Sequence, residues 1–290
     1  MISGALMLDE GYRYSAKKIR GHIVKMLIFF AFWSTLYCVW YEVIQPIRHS
    51  TPISAWGIVK ALVTGPYHFW FVYMIIGLYL IVPLLRLWVK KENIRYVRYF
   101  PILSAIFCLI IPQIISIGKN YSDVFLTVDR VLKDFHLDYI AGYTMYYVLG
   151  WYLNNVEIRH SKLIYILGVL GFAATFSGTY FFGSLFGKAD LMYDNLYFTV
   201  ALQGVAVFVL FKNLLAGKHK NSRVIRTVSK CSLGIYAVHI FILENLCAVL
   251  QHLNINSAIL QIPIAVVVTF ILSFLVSWLL GKIPFLRRVV

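Results

Sequence analysis

The sequence predicts an all-α polytopic transmembrane bundle, and three observations carry that prediction. Mean hydropathy is +0.76. Only 13% of the 290 residues are charged, about half the share usual in soluble domains. The apolar residues fall in long continuous runs separated by short basic or acidic connections. Runs that do not alternate read as helices rather than strands, and in hydrocarbon a helix satisfies its own backbone groups.

The elements follow in order. The first eight residues, Met1-Ile2-Ser3-Gly4-Ala5-Leu6-Met7-Leu8, are apolar and run straight into a charged loop. They read as the inner end of a helix whose outer part is absent, with a short interfacial segment as the alternative. Eight complete spans are then expected at roughly 23–44, 67–88, 99–117, 138–153, 162–182, 195–212, 232–250 and 258–281. Most have the length a helix needs to cross about 30 Å of hydrocarbon, while 138–153 is short. The connections leave no room for a soluble domain, so residues 1–290 are expected to form a single membrane domain.

Charge sets the expected orientation. Segments 9–25, 86–98, 154–162, 212–230 and 282–290 carry 5, 5, 2, 6 and 3 Lys/Arg, and the intervening connections hold the other six with Asp123, Asp129, Asp134, Asp138, Asp190 and Asp194. Basic and non-basic connections alternate, as the positive-inside rule requires of eight spans with a cytoplasmic C-terminus. The net charge of +15 therefore reads as a topology signal, and no nucleic-acid partner is expected. Cys38, Cys108, Cys231 and Cys247 lie in or beside apolar segments without CxxC spacing, so they read as free thiols and no metal site is expected.

Polar side chains inside membrane helices are costly and are the first candidates for function. In Cys231-Ser-Leu-Gly-Ile-Tyr-Ala-Val-His239, residues Ser232, Tyr236 and His239 stand at i, i+4 and i+7 on one helical face. A histidine beside a phenol could handle protons or orient a polar substrate. The competing reading is a histidine satisfied by a bond between helices. Glu244, about 140° round the helix from His239, is expected to point elsewhere.

A second set opens the next candidate helix: Tyr67-His68-Phe69-Trp70, closed on its inner side by Pro83 and Arg86. His68 and Trp70 at an outer interface are also ordinary belt residues. The third set is Arg13, Lys17, Lys18, Arg20, His22 and Lys25. Such a cluster could bind the phosphates of a cytosolic cofactor or anionic lipid headgroups, and the positive-inside signal alone also explains it. No phosphate-binding loop, dinucleotide fingerprint, GxSxG or HExxH occurs.

Taken in this order, the three sets resemble the acyltransferase-3 family of membrane acyltransferases. The closest likeness is to the bacterial branch that O-acetylates enterobacterial common antigen and related surface polysaccharides. MISGALML is similar to the end of that family's second helix, and AKKIRGHIVKML stands in place of its following basic motif. HFWFVYMIIGLYLIVPLLR is similar to its H-x-W helix, and SKCSLGIYAVHIFIL to its late Y-x-x-H helix. The tract Tyr73-Met74-Ile75-Ile76 has no carboxylate, which fits the antigen-acetylating branch better than the O-antigen branch.

The resemblance implies a fold of about ten spans. It implies transfer of an acetyl group from cytosolic acetyl-CoA, or another acyl group from its acyl-CoA, to a glycan hydroxyl, with the donor as a substrate rather than a resident cofactor. Ser3, Gly4, Lys17, Lys18 and Arg20 would hold the donor. His68, Tyr236 and His239 would assist catalysis, and Trp70, Ser232 and Arg86 would line the substrate path. The family's first-helix Arg and His, eleven residues apart, have no counterpart here, so the chain alone is expected to have little or no transferase activity. The partners implied are acyl-CoA, a glycan and membrane lipids. Three other readings remain: a transporter or lipid-linked glycan flippase, a non-catalytic membrane module, and a glycan polymerase.

Overall fold

The computed structural model describes residues 1–13, 15–216, 222–255 and 257–290, with the side chains of 137–140 and 189 also outside the description. The described residues form helices and connections, without strands. In chain order the helices are α1 (Ile2–Met7), α2 (Ala16–Arg48), α3 (Ala55–Thr64), α4 (Trp70–Trp88), α5 (Lys91–Gly118), α6 (Val124–Lys133), α7 (Leu137–Asn155), α8 (Ser161–Phe186), α9 (Phe198–Leu215), α10 (Arg223–His252) and α11 (Ala258–Leu280). Among the described residues, seven stretches are long and apolar enough to cross a membrane: α2, α3 with α4, α5, α8, α9, α10 and α11. Outward-facing Leu, Ile, Val and Phe cover most of them, a surface that only lipid solvates well. The chain is a multi-pass membrane protein.

The expected span at 138–153 coincides with α7, which stands outside those seven. It is 19 residues long, rich in tyrosine and interrupted by non-helical backbone at Gly142 (φ 0°, ψ −121°). The basic loop expected over 212–230 is only partly visible, because 217–221 lie outside the described residues.

Two compact units emerge, neither a contiguous stretch of sequence. The first combines Met1–Ser15 with Leu80–His219, the second Ala16–Tyr79 with Lys220–Val290. In the first, α8 and α9 pack as a pair with Gly168 and Gly171 buried between them. Gly4 of α1 meets the backbone of Tyr147 in α7 so closely that a Cβ would overlap the Tyr147 carbonyl. Gln113 joins α5 to α9, its Oε1 accepting from Phe198 N at 2.9 Å and its Nε2 donating to Thr199 Oγ1 at 3.1 Å.

In the second unit α10 and α11 are the principal pair. The face of α11 that is buried carries Ala265, Thr269, Ser273 and Ser277, every fourth residue. Small side chains let membrane helices approach closely where no hydrophobic effect drives them together. Ser277 Oγ also donates to Cys231 O at 3.0 Å. The core of this unit gathers Phe29, Trp33 and Tyr37 of α2, Phe69 just before α4, Val72 of α4, and Ala237 and Val238 of α10.

Two transmembrane helices contain π-helical segments, Val39–Ile44 in α2 and Ile106–Ile110 in α5. Each ends two residues before a proline, Pro46 and Pro112. Proline lacks the N–H that an α-turn uses and crowds the carbonyl four residues back, so a widened turn just before it relieves both conflicts.

Candidate functional site

The second unit brings together three of the residues singled out from sequence. His68 lies in a single 3₁₀ turn, Tyr67–Phe69, between α3 and α4. That turn is set by Gly65 and Pro66. Gly65 has φ +64°, and a Cβ there would fall 2.9 Å from Phe30 Cε2 and from Ser34 Oγ. Only glycine combines that backbone with so close an approach to α2. Pro66 then caps the turn in extended conformation, which directs His68 inward.

The His68 side chain is 7% exposed. Its ring stands edge-on to His239 at 5.3 Å between centroids, to Tyr236 at 5.5 Å and to Tyr37 at 5.5 Å. The Tyr236 hydroxyl donates to the His68 carbonyl, so α10 holds the turn by its backbone as well as by packing. His239 Nδ1 lies 2.7 Å from Tyr236 O. A carbonyl only accepts, so Nδ1 is the donor in this contact, and the tautomer it selects leaves the lone pair on Nε2. The arrangement offers a base nitrogen, a second imidazole and two phenols within one aromatic cluster.

Tyr37 was not singled out from sequence. Its hydroxyl donates to Ala237 O at 2.8 Å and accepts from Phe241 N at 3.3 Å, which fixes the ring between His68 and a cleft of about 520 Å³. Tyr41, Glu42, Lys60, Tyr67 and Glu244 also line that cleft. Glu244, expected to face away from His239, accepts a hydrogen bond from Tyr41. Helical spacing relates Glu244 to His239 along α10, but the meeting of α2 with α10 is a tertiary event that spacing does not reveal.

The remaining expected residues are distributed as follows. Ser232 is exposed, with its hydroxyl donating to Ser229 O at 2.9 Å, and Trp70 is 43% exposed. Neither enters the His68–Tyr236–His239 ring contacts. Lys17, Lys18 and Arg20 extend from the first turns of α2, all exposed. Ser3 and Gly4 belong to α1 in the first unit, where Gly4 serves the close packing on Tyr147. Arg86, also in the first unit, donates from Nη1 to Met7 O at 2.6 Å and to Asp9 O at 3.0 Å. Its Nη2 donates to Tyr12 O at 3.3 Å. That guanidinium ties the segment after α1 to α4.

Among the described residues no group of three or more His, Cys, Asp or Glu is placed to hold a metal ion. No two of the four cysteines form a disulfide; Cys38, Cys108 and Cys231 are buried and Cys247 half-buried.

Compared with known proteins, residues 1–279 match the acyltransferase-3 family model, described as an acyltransferase domain. No curated protein and no solved structure matches the chain.

Proposed function

The chain belongs to the acyltransferase-3 family, and from that premise we propose an acyl transfer across the membrane. The donor is a cytosolic acyl-CoA, and the acceptor is a hydroxyl of a cell-surface or lipid-linked polysaccharide. Acetyl is the favoured acyl group and a surface antigen of the enterobacterial-common-antigen type the favoured acceptor, on the motif likeness described above. The observation that supports this reading best is the cluster of buried His68 with half-buried Tyr236 and His239, next to a cleft lined by Glu42, Lys60 and Glu244, in a chain whose family is acyltransferase.

The proposed chemistry is ester formation. The glycan hydroxyl oxygen attacks the thioester carbonyl, a C–O bond forms, the C–S bond breaks, and the proton leaves the hydroxyl for the departing thiolate. His239 assists by offering Nε2 to that proton, a role suited to a neutral imidazole whose other nitrogen is already engaged. Tyr236 positions His68 through its carbonyl, and His68 lines the path. Trp70 and Ser232 are proposed to border that path. Lys17, Lys18 and Arg20 are proposed to receive the phosphates of the donor at the cytosolic face, where three exposed cations suit a polyanion.

The test is genetic and chemical together. Surface polysaccharide is prepared from cells with and without the chain, and base-labile acetate and O-acetyl proton signals are measured. Deletion is expected to remove the O-acetyl groups of one glycan, and the wild-type gene but not His239→Gln is expected to restore them. Unchanged O-acylation of every surface glycan on deletion would overturn the proposal.

A further inference from the structure

We propose that the cleft between α2, α3 and α10 is a sugar-binding subsite, and that its net negative lining selects neutral sugars over uronates. That the bound sugar is the acyl acceptor rests on the acyl-transfer reading above, whereas the cleft and its chemistry stand on their own geometry.

Volume is the first argument. About 520 Å³ lies within the range of pockets that hold small ligands and suits a sugar unit of a longer glycan. The lining is the second. Tyr37, Tyr41 and Tyr67 contribute aromatic rings, and Glu42, Glu244 and Lys60 contribute charges. A pyranose ring presents C–H faces that stack on aromatic rings and an equator of hydroxyls that donate to carboxylates and accept from an ammonium. The same lining suits an apolar ligand poorly, because burying two carboxylates against hydrocarbon is costly.

The backbone has been shaped to make this cleft. Tyr41 and Glu42 sit within the π-helical segment Val39–Ile44, and such segments are rare and recur at functional sites. A regular α-turn there would rotate both side chains to other directions. Across the cleft, Gly57 leaves room for the Glu42 carboxylate, since a Cβ on it would lie 2.6 Å from Glu42 Oε2. Gly65, already required by the turn that carries His68, lines the same space.

Charge sets the selectivity. Two acidic side chains and one lysine line the cleft, so its formal charge balance is negative. A uronate or phosphorylated sugar would meet like charge, which costs affinity in a confined site. Tyr37 forms the inner wall, with its ring beside His68, so a sugar seated in the cleft lies next to the imidazole cluster.

The test uses the full chain purified in a detergent without a sugar headgroup. Saturation-transfer NMR is recorded with methyl β-glucoside, methyl N-acetyl-β-glucosaminide and methyl β-glucuronide, each in competition with the others. Both neutral glycosides are expected to receive saturation, and the glucuronide to bind at least about tenfold more weakly. Tyr67→Ala removes an exposed ring and is expected to abolish transfer while thermal unfolding is unchanged. The double variant Glu42→Gln with Glu244→Gln is expected to narrow the discrimination against glucuronide. Equal binding of all three, no binding of either neutral glycoside, or binding indifferent to these variants would overturn the proposal. Loss of surface O-acetyl groups on deletion without glycoside binding would sink the subsite alone. Glycoside binding with unchanged O-acylation would sink the transfer reading alone.

Discussion

Tyr236 and Gly65 carry the clearest consequences at the scale of single residues. Tyr236 contributes one hydrogen bond, to the carbonyl of His68, and Phe at that position keeps the ring contacts. Tyr236→Phe is expected to lower stability by about 1 kcal/mol, the usual net worth of such a bond. O-acetyl content of the surface glycan should fall further than that loss of folded protein explains, because the turn carrying His68 loses its tie. An unchanged acetyl content would show that the hydroxyl is not used in positioning. Gly65→Ala combines a positive φ with contacts of 2.9 Å to Phe30 and Ser34. It is expected to cost about 1–2 kcal/mol, read as a lowered unfolding temperature in detergent. Asp129 makes a pH-dependent contribution to stability. Burial pushes its carboxyl up, but hydrogen bonds from Lys119 at 2.6 Å and Lys133 at 2.8 Å outweigh this and hold it below the ordinary carboxylate value. A depressed folded pKa means the stabilisation is present at neutral pH and is lost as pH falls through that value. Asp129→Asn is therefore expected to lower stability at pH 7 by at most about 1 kcal/mol and to match wild type in strong acid. A gap between the two that persists undiminished in acid would refute the assignment.

Among elements, the α10–α11 pair depends on size rather than hydrophobicity. Ser273 is fully buried at 0% exposure in the stripe with Ala265, Thr269 and Ser277. Ser273→Ala keeps the close approach and is expected to be nearly neutral. Ser273→Leu, although more apolar, is expected to destabilise by about 1–3 kcal/mol through overpacking. Thermal unfolding of the two variants side by side checks this, and equal stability would show that the helices are not held by close approach. The π segments make a related point. In α2 the widened turn before Pro46 does more than relieve the proline, because it carries two residues of the cleft.

For the whole molecule the open matter is orientation, which the alternation of basic connections argues. The proposed topology puts Lys91 in the cytoplasm and Asp123 outside, and both side chains are exposed. In a Cys247→Ser background, Asp123→Cys is expected to react with a membrane-impermeant maleimide on intact cells, and Lys91→Cys only after lysis. The reverse pattern would invert the topology and move the donor site to the wrong side of the membrane. The two compact units add a second point at this scale. The imidazole cluster and the cleft both lie within the unit built from Ala16–Tyr79 and Lys220–Val290, so their chemistry is assembled from opposite ends of the chain.

Some of this was legible in the sequence alone. Helical class and membrane residence follow from run length and hydropathy, which depend only on local composition and the thickness of the bilayer. His68, Tyr236 and His239 likewise stood out, since costly polar groups in apolar helices are visible without any knowledge of packing, and the structure brings their rings together. The α7 region shows where local reasoning weakens. Tyrosines and a backbone break at Gly142 blur the signal that a uniform apolar run gives elsewhere. The cleft was decided by tertiary structure only. Tyr37, Tyr41 and Glu42 are ordinary in their own helix, and Glu244 lies about 200 residues away along the chain. Their meeting depends on a π-helical turn and on how α2 packs against α10, and neither the rotation of a widened turn nor the contact of distant helices is written in local spacing.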